Sequence, residues 1–196
     1  MMRFVNILAA ALLALAALVP QQAFAQKEVA NPNGIWEHRG SGAEFPRFLG
    51  AAERGSVTEF NAEGTDASAG YSLQNSDGTL ILTIYIYPVM DGYTCRETFD
   101  DAKLAIDKYE GAEVVKQEIQ PSPTGKAETA AYFARYFIPA GSVKPDYPDL
   151  VSDLYLYCPQ NSAWLVKYRA SWTGSNETFP DVPKLLRQVS WGAKLN

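Results

Sequence analysis

Histidine occurs once in this chain, at His38, and cysteine twice, at Cys95 and Cys158. A lone imidazole in a stretch without clear pattern leaves little room for acid–base work by histidine. His38 reads instead as a solvated or half-packed side chain. Two isolated cysteines and one histidine do not make a usual ligand set, so no metal site is expected from them. There is no G-x-S-x-G elbow, no H-E-x-x-H pair and no glycine-rich phosphate loop. No catalytic residue and no cofactor are therefore assigned. A strong charge of one sign is also missing: 17 Lys and Arg stand against 22 Asp and Glu, for a formal charge of −5. Such mild acidity offers no broad attraction to nucleic acid or to anionic lipid. Beyond the first residues no apolar run is long enough to cross a bilayer, so no transmembrane segment is expected in the mature chain.

What is there begins with MMRFVNILAAALLALAALVPQQAFAQ. Arg3 gives a positive start, residues 7–19 an apolar run, and Ala23-Phe24-Ala25 a small-x-small site, so residues 1–25 read as a signal peptide cut after Ala25. The short basic start and the cleavage site look bacterial, which predicts a periplasmic or secreted protein. No cysteine sits near the cut, so a lipid anchor is not expected. Cleavage removes Arg3 and no acid, leaving the chain one unit more negative. In an oxidising compartment the two cysteines read as a Cys95–Cys158 disulfide; the rival reading is a pair of buried thiols. Neither belongs to a C-x-x-C pair, so the bond is expected to be structural.

Residues 26–54 form an N-terminal arm of weak pattern, with a turn signal at Pro32-Asn33-Gly34 and an apolar hook at residues 45–49. Residues 55–196 read as one domain. Strands are expected over 56–61, 69–73 and 79–87, the last two flanking Asn75-Ser76-Asp77-Gly78, and Pro88 ends the third. A helix follows in CRETFDDAKLAIDKYEG, with Thr98 as cap and Asp100 and Asp101 at its positive end. Its stripe is Phe99, Ala102, Ile106 and Tyr109, broadened by Leu104 and Ala105. Strands over 113–120, 129–138, 153–158 and 163–172 come next. A last helix is expected over 182–191, with Asp181 as cap and Pro183 in its first turn. The expected fold is thus α+β: a mainly antiparallel sheet of about six to seven strands flanked by helices, in β-β-β-α-β-β-β-β-α order.

Over residues 55–191 that order resembles the fold shared by the PsbP proteins of photosystem II and the Mog family of Ran-binding proteins, an antiparallel sheet between helices. The lines GAAERGSVTEF, GYSL and TIYIYP are also similar to a group of secreted bacterial proteins of unknown function. The first resemblance implies a docking or accessory domain that works mainly by binding. Neither supplies catalytic residues.

The strand TLILTIYIYP has two apolar faces: Leu80, Leu82, Ile84 and Ile86 alternate with Ile81, Thr83, Tyr85 and Tyr87. This points to a central strand covered on both sides. The leucine–isoleucine face is expected to be core beneath the helix stripes. Tyr85 with Tyr87, Tyr132 with Tyr136, and Tyr155 with Tyr157 each share a face of their strands. Lys167 and Arg169 oppose the face of Trp164, Tyr168 and Trp172. Two readings follow for the aromatic residues: ordinary sheet packing, or a groove for an unknown protein or a small apolar or aromatic ligand. On the second, the candidate surface is Tyr85, Tyr87, Tyr155, Tyr157, Lys167 and Arg169. Asp146, Asp149 and Asp153 around a proline-bearing loop match no calcium motif and read as solvated acids. The expected function is a non-enzymatic binding or accessory domain; the alternative is a small hydrolase or isomerase using carboxylates and tyrosines.

Overall fold

The computed structural model describes residues 26–29, 33–127, 130–173 and 180–195. The proposed signal peptide and its cut after Ala25 lie outside these residues, as do Pro32 of the expected turn and Thr129 of an expected strand. Three strands, β5 (Ala52–Glu59), β6 (Ala67–Asn75) and β7 (Gly78–Pro88), form a meander that follows four short arm strands. These are β1 (Lys27–Val29), β2 (Trp36–Glu37), β3 (Glu44–Phe45) and β4 (Phe48–Leu49). Helix α1 (Cys95–Asp107) carries the chain to a second meander: β8 (Glu113–Gln120), β9 (Ala131–Ile138), β10 (Leu150–Tyr157) and β11 (Trp164–Trp172). The chain ends in a single-turn helix α2 (Val182–Leu186) and a 3-10 turn at Ala193–Leu195.

All pairings are antiparallel, in the order β1-β5-β6-β7-β11-β10-β9-β8, with β4 added beside β5 to make nine strands; β2 and β3 form a separate hairpin. The α+β expectation is therefore corrected: the fold is mostly antiparallel sheet with two helices, nearer all-β. Two local causes account for the difference. The arm supplies four short strands that no periodicity announces. The last helix stops at Leu186 because residues 187–191 turn inward. Val189 and Trp191 are buried, the Trp191 indole N–H donates to the Leu186 carbonyl (2.9 Å), and Ser190 bridges Glu44.

Because directly opposed residues share a face, the ladder registers sort the side chains. One face carries Leu80, Leu82, Ile84 and Ile86 with their partners Trp172, Ala170, Tyr168 and Val166, all buried. The cover on this face includes one of the expected helix stripes, that of α2, while the stripe of α1 lies on the other face. That cover is the arm and the C-terminal segment, through Phe45, Leu49, Leu186, Trp191 and Leu195. Arg54, fully buried, ties the arm down by donating to the carbonyls of Phe45 and Gly34. The Gly40 carbonyl accepts from the Lys194 ammonium (2.8 Å), and the Ser162 hydroxyl donates to the Lys194 carbonyl (2.7 Å).

Helix α1 packs on the opposite face, with Phe99 and Ile106 buried against Ala134, Leu154, Leu156 and Leu165. Leu104 and Ala105 do not join that stripe; both are exposed. The cap is Thr94 rather than Thr98. Thr94 Oγ1 accepts from the Glu97 N–H (3.2 Å), and the Glu97 carboxylate accepts from the Thr94 N–H (2.8 Å). This reciprocal pair satisfies two otherwise orphaned donors. Thr98 donates back to the Thr94 carbonyl instead. Cys95, at the first helical position, is disulfide-bonded to Cys158 just after β10, Cα to Cα 6.1 Å. The bond is compatible with an extracellular location. Among the described residues no helix is long and apolar enough to cross a membrane.

Candidate functional site

Strands β7 and β11 form the middle of the sheet, and their pairing builds the site. Tyr85 lies opposite Lys167, Thr83 opposite Arg169 and Ile81 opposite Ser171, all on the face that α1 covers only in part. Past the C-terminal end of α1 that face opens as a cleft of about 280 Å³. Ile81, Thr83, Tyr85, Arg169 and Ser171 lie on its floor, and Tyr109, Val143 and Tyr147 among its walls. Tyr109 arrives from the turn after α1, which closes at Gly111 with φ +72°. Val143 and Tyr147 come from the loop before β10, held by a Gly141 N–H to Tyr147 carbonyl bond of 2.8 Å. Alternation within a strand could place the floor; nothing in the sequence brings in these walls, which depend on the crossing of helix and sheet.

The cations of β11 are held in different ways. The Lys167 ammonium sits over the ring of Tyr85 at 4.3 Å and near that of Tyr87 at 5.5 Å. Burial pushes the Lys167 amine down, while nearby Asp66 opposes that shift. Burial likewise raises the Tyr85 phenol and the Asp66 carboxyl, and pushes Tyr87 up to about 12. Phe60 stacks on Tyr85, centroids 6.3 Å apart. Arg169 points its Nε to Ser152 Oγ (3.2 Å), which shares a 2.8 Å bond with Ser171 Oγ, and its guanidinium lies 5.4 Å from the Tyr109 ring. Among the described residues neither Lys167 nor Arg169 forms a salt bridge.

The six candidate residues do not form one surface. Tyr85, Tyr87, Lys167 and Arg169 are brought together; Tyr155 and Tyr157 point to the other side of the sheet, 2 % and 6 % exposed. Tyr155 stacks on Tyr168, centroids 4.7 Å apart, and donates to the Pro121 carbonyl (2.7 Å). It also lines a second cavity of about 460 Å³, with Tyr168, Glu118, Gln120, Pro183 and Arg187. There Glu118 is held low by hydrogen bonds from Lys116 and Gln120. In neither cavity do two carboxylates converge among the described lining residues. Asp153 is not a loop acid but a buried one, in a bidentate pair with Arg135 (2.7 and 2.9 Å).

His38 also departs from expectation: it is fully buried. The Ser41 N–H donates to its Nδ1 (3.1 Å), so the proton sits on Nε2 and goes to the Thr65 carbonyl (3.1 Å). Trp36 and Trp164 meet the ring edge-on. The alternation Trp36-x-His38-x-Gly40 is the sequence signal of this inward face. No protein-family model matches the chain, and no curated protein or solved structure matches it.

Proposed function

We propose that this protein is a periplasmic or secreted binding domain, non-enzymatic in its action, that takes a small apolar or aromatic ligand in the cleft on the Tyr85 face. The observation that carries this reading is Ile81. It lies on one of the two middle strands of a nine-stranded sheet, yet is 49 % exposed on the floor of the cleft. Apolar floor and aromatic walls around a few polar groups are the usual make-up of a small-ligand site. A rigid sheet floor keeps such a site formed before binding. The signal-type N-terminus and the disulfide support the location, and the resemblance to docking domains supports binding over catalysis.

The test is fluorescence titration with phenylnaphthylamine, an uncharged probe that brightens in apolar sites. Saturable binding is expected, weakened about tenfold by Tyr147→Ala. Arg187→Ala, at the second cavity, should leave it unchanged. Loss of binding in Arg187→Ala and not in Tyr147→Ala would move the site to the other face and sink the proposal.

A further inference from the structure

We infer that the ligand of this cleft is a small organic monoanion, a flat apolar body bearing one carboxylate or sulfonate, and that Arg169 receives the charged group. The inference rests on the cleft being the binding site proposed above. A guanidinium offers five N–H donors in a planar fork. At Arg169 one of them, on Nε, goes to Ser152 Oγ, and the two terminal nitrogens have no protein acceptor among the described residues. Half-buried cations are ordinarily paired. This one instead borders a cleft whose described lining residues include no Asp or Glu. The nearest cation of the same strand face, Lys167, is drawn onto Tyr85 and adds positive potential without occupying the fork.

The fork is also held in place. The Ser171–Ser152 hydroxyl pair fixes Nε, and the Tyr109 ring lies against the guanidinium. A planar, oriented fork suits a planar carboxylate through two parallel bonds, and that pairing gains most where water is partly excluded. Next to it, Ile81, Tyr85, Val143 and Tyr147 offer the apolar surface for the rest of the molecule. One fork with one adjacent apolar floor selects a single-headed anion. Ser152 and Ser171 act on it as positioning residues, through Arg169.

Displacement of phenylnaphthylamine by naphthoate and by methyl naphthoate, which differ by a charge on one body, tests this. On the wild type the acid should compete about ten- to a hundredfold better than the ester, the range expected of a charge-assisted hydrogen bond. The advantage should shrink with added salt. Arg169→Gln should bring acid and ester level, each compared with the probe's own affinity for that variant; Arg169→Lys, with charge but no fork, should restore part of the gap. Thermal melts followed by circular dichroism establish that both variants fold. If the wild type binds the probe but takes acid and ester equally, the anion inference falls and the cleft reading stands. If the acid keeps its advantage in Arg169→Gln, the assignment of Arg169 falls. If the wild type does not bind the probe, both readings fall together.

Discussion

At His38 a single buried side chain couples folding to protonation. Its Nδ1 accepts and its Nε2 donates, so the buried ring is neutral, and burial pushes its pKa down from the ordinary 6.5. The unfolded chain takes up a proton there first as pH falls. Stability is therefore lost below pH 6.5, by up to about 1.4 kcal/mol per pH unit for one proton. Burial raises the carboxyls of Asp66 and Asp153, which act in the opposite sense, so the wild type alone does not isolate the effect. Urea unfolding of wild type and His38→Gln between pH 5 and 7 does: the variant should be less stable at pH 7 and lose less on acidification. A parallel loss in both would refute the assignment. Proton NMR of the lone imidazole should place its titration midpoint below 6.5. Gly40 beside it makes a simpler point. A Cβ there would lie 2.1 Å from the Trp164 indole. Gly40→Ala should cost about 1–3 kcal/mol, as overpacking of a fitted core does.

For the elements, legibility follows how regular the local signal is. Strand β8 has the bounds the sequence predicts, and the inward face of β7 follows from strict alternation. The cap of α1 is legible too, because Thr94-x-x-Glu97 is a capping box, but the acids at 100 and 101 point to Thr98, four residues downstream. Thr94→Ala should lower stability by about 1 kcal/mol in urea titrations, and Thr98→Ala should not act as a cap loss. The two-residue strands of the arm carry no period and could not be read. Nor could the relation of Tyr85 to Tyr155, since alternation orders side chains within a strand and only ladder register relates one strand to the next. The disulfide belongs at this scale as well, joining the first turn of α1 to the end of β10. Cys158→Ser should cost about 2–4 kcal/mol. Because α1 is held to the sheet by side-chain packing through Phe99 and Ile106 rather than by ladder hydrogen bonds, its amides should lose protection from hydrogen exchange before those of β7 and β11 do.

At the scale of the molecule, the sheet is closed on one side by segments from both ends of the described chain. Phe45 and Leu49 from the arm meet Leu186, Trp191 and Leu195, and Gly192 lies so close that a Cβ would fall 2.4 Å from the Ser41 carbonyl oxygen. Trp191→Ala should cost about 3–5 kcal/mol in denaturant unfolding, since a large core side chain is removed where two segments hold the cavity walls. The cleft face, whose cover includes α1 and the loop before β10, should change far less in that variant, and naphthoate binding at Arg169 should persist wherever the chain remains folded. The same arrangement couples the fates of the two segments: a protease cut that frees Trp191 and Leu195 takes away the packing of Phe45 and Leu49, so digestion of the arm should follow.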